Sequence, residues 1–501
     1  MVSRAEIRAR LSNFPPFDDA SVGLSYGVRM PRHMVKQIRE VVSIARAFNE
    51  QVARPLSLEI DRKTQEDPSY MPRELVETAN RWGFYTMWIP RMFGGKGYNL
   101  PSMSYFSEEV ASACLGIMNV IGVHYLGVAG VISSANTRLA KRVLSEVAEG
   151  ERSGWPCLIS LAVTEPGAGT DVEEVELLDK GSVSCHARKV KGGYVVNGTK
   201  VFISMGHLST WTVLYAYTDL RHPAESTVGL MVKTGMKGFS LGSHEDKMGQ
   251  RACPASELVF EDCFVPDELV LFDEGHARAF SKKPRRTLAQ TYIDYVVSAT
   301  RPGVCAFGVG AARGALEKAL DYASKTQLNG RPLIDHEWVQ SRLAQMYANV
   351  ALGRLAYQEA NHANSLRGLY RLLQFKPLYY YFLLMPDAYF KRVISPTLDK
   401  RITTNLMGRV SFDWAKQEDI RCCSGWASLA KITGTDLGLA NCRAALEIMG
   451  AAGLRHDLGA EKLLRDIKLL QIYEGTNQLN RLNLFKCLIA PSFPKARMFD
   501  E

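Results

Sequence analysis

The chain has 501 residues, 46% of them hydrophobic and 23% charged, with a formal net charge of +9. That length allows a large layered core and more than one domain, and the composition excludes a disordered or collagen-like chain. The positive charge is dispersed apart from Lys282-Lys283-Pro284-Arg285-Arg286. No nucleic-acid-binding stripe is expected, whereas an anionic substrate or an anionic membrane surface suits the charge.

The charged start Met1–Arg8 lacks a following apolar core and does not read as a secretory signal. Arg4, Arg8 and Arg10 hint at a transit peptide, and Phe14-Pro15-Pro16-Phe17-Asp18-Asp19 argues against a long one. No apolar run of membrane-spanning length is expected. The ten cysteines form no C-x-x-C and no zinc-ligand spacing with histidine. They read as reduced, buried residues of a cytoplasmic protein, and no metal site is expected.

Residues 30–150 read as helices, with one stripe at Val35, Ile38, Val41, Val42, Ile44 and Ala45 and others over 75–82 and 105–113. Between them Ile89–Tyr98 is a Gly-rich loop whose Gly-Lys pair is followed by neither Ser nor Thr, so it is not a P-loop. From 155 to 270 the pattern turns to strands of a small antiparallel β-domain. Leu158–Val163 opens into the small-residue turn Thr164-Glu165-Pro166-Gly167-Ala168-Gly169-Thr170-Asp171, where a ligand can approach the backbone closely. Gly192-Gly193 and Asn197-Gly198 both read as hairpin signals. From Pro302 onward the pattern reads as a helix bundle, with Gly308, Gly310, Ala311 and Ala312 permitting close packing. Residues 368–424 interrupt it as an insert crowded with Tyr370, Phe375, Tyr379, Tyr380, Tyr381, Phe382, Tyr389 and Phe390, beside Lys376, Lys391 and Arg392. Such an insert covers a substrate mouth or a subunit interface, or touches a redox partner or a membrane surface. It is expected to stand apart from the chemistry.

Near the end, Tyr473-Glu474-Gly475-Thr476-Asn477-Gln478 separates two helical stretches. Gly475 can supply a positive φ and Thr476 a helix cap. A Glu on such a turn is a solvated surface residue or a rigidly aimed general base.

The order and spacing of TEPGAGTD, Lys247-Met248-Gly249-Gln250-Arg251 and YEGTNQ resemble the acyl-CoA dehydrogenase family of flavoproteins, over about residues 35–365 and 425–490. The resemblance implies an α+β fold: a helical domain over 1–152, an antiparallel β-domain over 153–275 and a helix bundle over 276–501 carrying the insert. It implies FAD as cofactor and Glu474 as the base that takes the α-proton of an acyl-CoA, with the β-hydride passing to flavin N5 to leave a trans-2-enoyl-CoA. Val163, Thr164, Gly169, Thr170, Phe202, Ser204, Gly450, Thr476 and Gln478 fall on FAD-contacting positions of the family, and Gly453 belongs to the same turn as Gly450. Thr170, Arg301 and Gly475 fall on substrate-side positions, Arg301 beside the base. Thr300 stands where some members carry the base instead. Phe202 replaces a tryptophan, Arg91 a commoner glutamate, and Thr326 an arginine that reaches a neighbouring subunit's FAD, for which Arg331 could substitute. Glu108 and Glu109 lie where a glutaryl-specific relative carries an arginine nearby, which disfavours that substrate. The implied partners are electron-transfer flavoprotein and further copies of the chain in a homodimer or homotetramer, in the cytoplasm or a mitochondrial matrix, in fatty or carboxylic acid degradation. An acyl-CoA oxidase or a catalytically silent scaffold would share the fold, and Glu474 disfavours a monooxygenase.

Overall fold

The computed structural model describes residues 31–365, 368–373, 375–493 and 495–499; the N-terminal arginines lie outside them. Among the described residues six helices come first: α1 (Arg32–Phe48), α2 (Arg54–Glu66), α3 (Arg73–Arg81), α4 (Leu100–Ala113), α5 (Leu115–Ser133) and α6 (Thr137–Ser153). On α1, Ile38, Val41, Ala45 and Phe48 recur at helical spacing and are the buried face. The 19-residue α5 corrects the expectation about apolar runs. It is long and apolar enough to cross a membrane, yet is mostly buried, packed on α4 and on the sheet. A helix apolar on every side needs such surroundings.

Eight strands follow: β1 (Ile159–Ala162), β2 (His186–Val190), β3 (Gly193–Ser204), β4 (Trp211–Tyr217), β5 (Thr227–Lys233), β6 (Phe239–His244), β7 (Ala255–Pro266) and β8 (Val270–Phe272). Their order is β6-β7-β3-β2-β4-β5-β8, with β1 beside β4. Most pairs are antiparallel, but β1 runs parallel to β4 from Ile159 opposite Trp211. Asn197-Gly198 is not a hairpin turn. It sits inside the continuous β3, where the register against β7 shifts between Val196 and Gly198. The extra residue lies on β7, where Glu261 and Asp262 stand opposite Asn197 alone and Asp262 takes φ +49°, so this is a bulge in the pairing and not a turn.

The bundle is built on α7 (Arg285–Lys325), α8 (Glu337–Asn364), α11 (Gln417–Met449), α12 (Ala460–Leu470) and α13 (Asn477–Leu484); α9 (Lys376–Leu384) and α10 (Arg401–Gly408) belong to the insert. The 41-residue α7 is the central axis, packed against α4, α8 and α11. It crosses α11 with almost no side chain between the backbones: a Cβ on Gly308 would lie 2.3 Å from the Gly434 carbonyl oxygen. Pro302, expected to open this region, instead lies in the middle of α7. A proline leaves the carbonyl four residues earlier without its helical donor. That carbonyl, Ser298 O, takes a 2.6 Å hydrogen bond from Asn364 Nδ2 at the end of α8. Residues 417–424, expected in the insert, are the first turns of α11, so the excursion ends at 416.

Candidate active site

The turn between α12 and α13 carries Glu474 at φ +56° and Gly475 at φ +73°. Two successive left-handed residues reverse the chain sharply, and a glutamate there costs roughly 1–2 kcal/mol that its surroundings must offset. They do so through buried partners. Arg301, 1% exposed, donates from Nε to Glu474 O at 3.2 Å, from Nη1 to Ser428 Oγ at 2.9 Å and from Nη2 to Glu173 Oε2 at 2.8 Å. Lys431, fully buried, donates to Gly475 O and to Asn477 Oδ1, each at 2.7 Å. Asn480 Nδ2 reaches Gly475 O at 2.9 Å, and the Thr476 hydroxyl caps α13 by accepting from Leu479 N. The preceding Tyr473 donates its hydroxyl to Gln250 Oε1 at 3.2 Å.

So anchored, the Glu474 carboxylate faces a cavity of about 1870 Å³. Its Oε2 accepts from Thr300 Oγ1 at 2.8 Å. Burial and the nearby Glu173 carboxylate push its pKa up to about 7, against the opposing pull of Thr300, Arg301 and Lys431. Lys431 is moved the other way. Burial, then the Arg301 charge, bring it down to about 7. Glu173, Arg301, Glu474 and Lys431 form an alternating acid–base cluster whose carboxylate at the cavity is poised near neutrality, where a general base works best.

Across the cavity, Val163 and Thr164 leave the end of β1, and Phe202 and Ser204 stand on β3. Phe202 has φ +59°, within the second irregularity of β3 against β7, and remains 62% exposed. For an aromatic residue this backbone is strained, and it turns the ring out of the sheet into the cavity. The Thr164 turn is braced from behind. Lys200 and Glu165, both buried, pair at 2.7 Å, and Lys200 Nζ also donates to Val163 O at 2.8 Å. Burial alone would raise the Glu165 pKa, but Lys200 and the Ser184 and Cys185 N–H groups hold it below its ordinary value.

Val163, Thr164, Phe202, Ser204, Thr300 and Glu474 thus share one cavity. Other expected residues do not line it. Arg301 and Gly475 lie behind the base, fully engaged by protein. Gly169 and Thr170 lie on the turn beyond the cavity wall, and a Cβ on Gly169 would meet open space. Thr476 caps α13, Gln478 is exposed on its first turn, and Gly450, at φ +56°, ends α11. Thr326 ends α7, and Arg331 is exposed on a short hairpin with Nη2 3.3 Å from His336 Nδ1. Glu173 and Lys431 carried no sequence signal. Each joins the base only through folding, from the turn after β1 and from the middle of α11.

The insert is not peripheral. Tyr379, Tyr380, Phe382 and Leu383 of α9 line the same cavity as Glu474, which corrects the expectation that it stands apart from the chemistry. It docks on the Gly-rich loop through Arg91, whose Nε lies 2.7 Å from Asp387 Oδ1 and whose guanidinium sits 4.6 Å from the Phe390 ring centre.

A helix–sheet–helix-bundle chain with a buried-turn glutamate facing a large cavity defines a class of oxidoreductase, and sequence comparison identifies it. The N-terminal, middle and C-terminal domain models of the acyl-CoA dehydrogenases match residues 36–151, 160–263, and 291–368 with 411–489. The chain belongs to the acyl-CoA dehydrogenase family, and the unmatched 369–410 falls within the insert. It is 28% identical to a Mycobacterium tuberculosis protein named as an acyl-CoA dehydrogenase, FadE25, over 90% of this chain and 95% of that protein. It is 27% identical to the cyclohex-1-ene-1-carbonyl-CoA dehydrogenase of Syntrophus aciditrophicus, over 82% and 81%. The butyryl-CoA dehydrogenase structure from Megasphaera elsdenii superposes with a TM-score of 0.69 at 22% identity, over 92% of this chain and 99% of that one. The family makes the protein an oxidoreductase acting on acyl-CoA.

Proposed function

We propose that the protein is an FAD-dependent acyl-CoA dehydrogenase that converts an acyl-CoA thioester to the trans-2-enoyl-CoA. The observation that carries this is the placement of Glu474: a carboxylate near neutral pKa, fixed on a left-handed turn, facing Phe202 and the end of β1 across one cavity. Glu474 takes the α-proton, and Thr300 Oγ1 fixes the orientation of the carboxylate that receives it. The Glu474 backbone N–H holds the thioester oxygen as charge develops on it. Arg301 and Lys431 keep the turn rigid from behind, so the carboxylate is aimed without reorganisation.

The residues present fit FAD. The exposed Phe202 ring, Ser204, Val163 and Thr164 offer an apolar edge and hydrogen-bonding groups for a flat ring system, and the open space at Gly169 suits close approach of a phosphate. When bound, FAD supplies the acceptor for the hydride leaving the β-carbon, which no side chain can provide. The reading extends to electron-transfer flavoprotein as electron acceptor, to a homodimer or homotetramer, and to a cytoplasmic or matrix location. Purified protein is expected to be yellow and to bleach anaerobically when acyl-CoA is added. The Glu474→Gln variant keeps its colour and its acyl-CoA binding but loses bleaching. Bleaching at the wild-type rate in that variant refutes Glu474 as the base.

A further inference from the structure

The cavity of about 1870 Å³ takes in, besides the residues set out above for the flavin, a wall built from the insert, the Gly-rich loop and α5. The insert lines the cavity mainly with apolar and aromatic side chains. Tyr379, Phe382 and Leu383 of α9 face it from the insert, Met92 from the Gly-rich loop and Leu126 from α5. Of the cations lining the cavity, Arg91 is engaged by Asp387 and Phe390 and Lys96 by Glu151 at 3.3 Å, while Lys376 lines it at the start of α9. Nearer the base, the cavity is widened at Gly303 on α7, one turn from Thr300. A Cβ built there meets no atom within 4 Å. A glycine inside a helix is destabilising relative to alanine, so the space is not there for the stability of α7.

We infer that the acyl group this site takes is large and mainly apolar, with its far end against the aromatic face of α9, and that the insert sets this preference. The inference rests on the acyl-CoA reading above. Long straight chains and ring-bearing acyl groups share this chemistry. A straight chain uses the depth towards α9, and a ring system also uses the width at Gly303.

The test uses the flavin-loaded full chain and anaerobic bleaching by butyryl-CoA, palmitoyl-CoA, a CoA thioester of a fused-ring carboxylic acid, and glutaryl-CoA. Each methylene buried on an apolar wall strengthens binding about four-fold, so saturation is expected at ten-fold or more lower concentration for the large apolar thioesters than for butyryl-CoA. Leu383→Trp, which shortens the cavity, is expected to cut the palmitoyl-to-butyryl ratio of kcat/KM at least ten-fold. Gly303→Phe, which narrows it, is expected to cut the ring-to-butyryl ratio likewise. Because each variant is read as a ratio, partial loss of active protein does not enter, and binding of the matching enoyl-CoA, followed by calorimetry, gives the same order without turnover. Equal or better use of butyryl-CoA or glutaryl-CoA, or ratios unmoved in both variants, overturns the inference while leaving the dehydrogenase reading intact. Failure of every thioester to bleach a yellow protein overturns that reading instead, and the inference with it.

Discussion

Replacing Thr300 by valine removes one hydroxyl from beside the base and keeps the side-chain shape. The Thr300 hydroxyl lies 2.8 Å from Glu474 Oε2 and favours the ionised carboxylate. A hydrogen bond to a charged group contributes about 1.5–3 kcal/mol, equivalent to roughly one to two pKa units at 1.36 kcal/mol each. The lower end applies here, because the same hydroxyl also lies 3.1 Å from Val296 O and the carboxylate faces a cavity that water can enter. In Thr300→Val the Glu474 pKa is expected to rise from about 7 to about 8. The assay is the pH dependence of kcat/KM for flavin reduction by acyl-CoA, which reports the base in the free enzyme. Activity rises with pH as the base ionises, so the midpoint of the rise should move about one unit to higher pH with the plateau largely kept. A midpoint that stays in place or moves down refutes the assignment of Thr300 as the group that lowers the pKa of the base.

The raised pKa of Glu474 also predicts a stability effect. The protonated folded form is favoured, so its stabilising contribution is complete below about 4.5 and is lost as pH rises through about 7. Glu474→Gln does not titrate and should gain on the wild type over that window by on the order of 1–3 kcal/mol, measured by urea unfolding at pH 4.5, 6 and 8; a pH-independent difference contradicts it. Lys200→Met leaves Glu165 buried without its partner and should cost about 3–5 kcal/mol in the same assay. A loss below 1 kcal/mol would show that water reaches the pair. Arg91→Ala should change global stability by under about 1 kcal/mol, since Asp387 is largely exposed. Limited proteolysis of that variant should nonetheless cut faster within 375–416, and an unchanged rate would show that the insert does not depend on this contact.

The glutamate turn was legible because its signals are local. A glycine, a capping threonine and two helical stretches lie within a few residues of Glu474, and the structure realises each of them. Arg301 was found only through family resemblance, because nothing local distinguishes a buried arginine from a surface one. Glu173 and Lys431 were illegible for the same reason, since their partners are more than forty residues away in sequence. Asn197-Gly198 misled because a turn dipeptide also suits a bulge, and the long pairing of β3 with β7 decided which. The insert aromatics were recognised, but their position was not, because the same residues suit a cavity wall and an outer surface. Ion pairing of Arg91 with Asp387, nearly three hundred residues apart, helps settle it.

The hydrogen bond from Asn364 to Ser298 ties the start of the insert to the bundle. The excursion leaves the bundle just after Asn364, the residue that satisfies the carbonyl exposed by Pro302. Unwinding the last turn of α8 would remove that hydrogen bond, at a cost of about 0.5–1.5 kcal/mol. The stem of the insert is thus clamped to α7 at Ser298, within a turn of Thr300 and Arg301. The polypeptide that lines the cavity from the insert side is rooted beside the residues that hold the base.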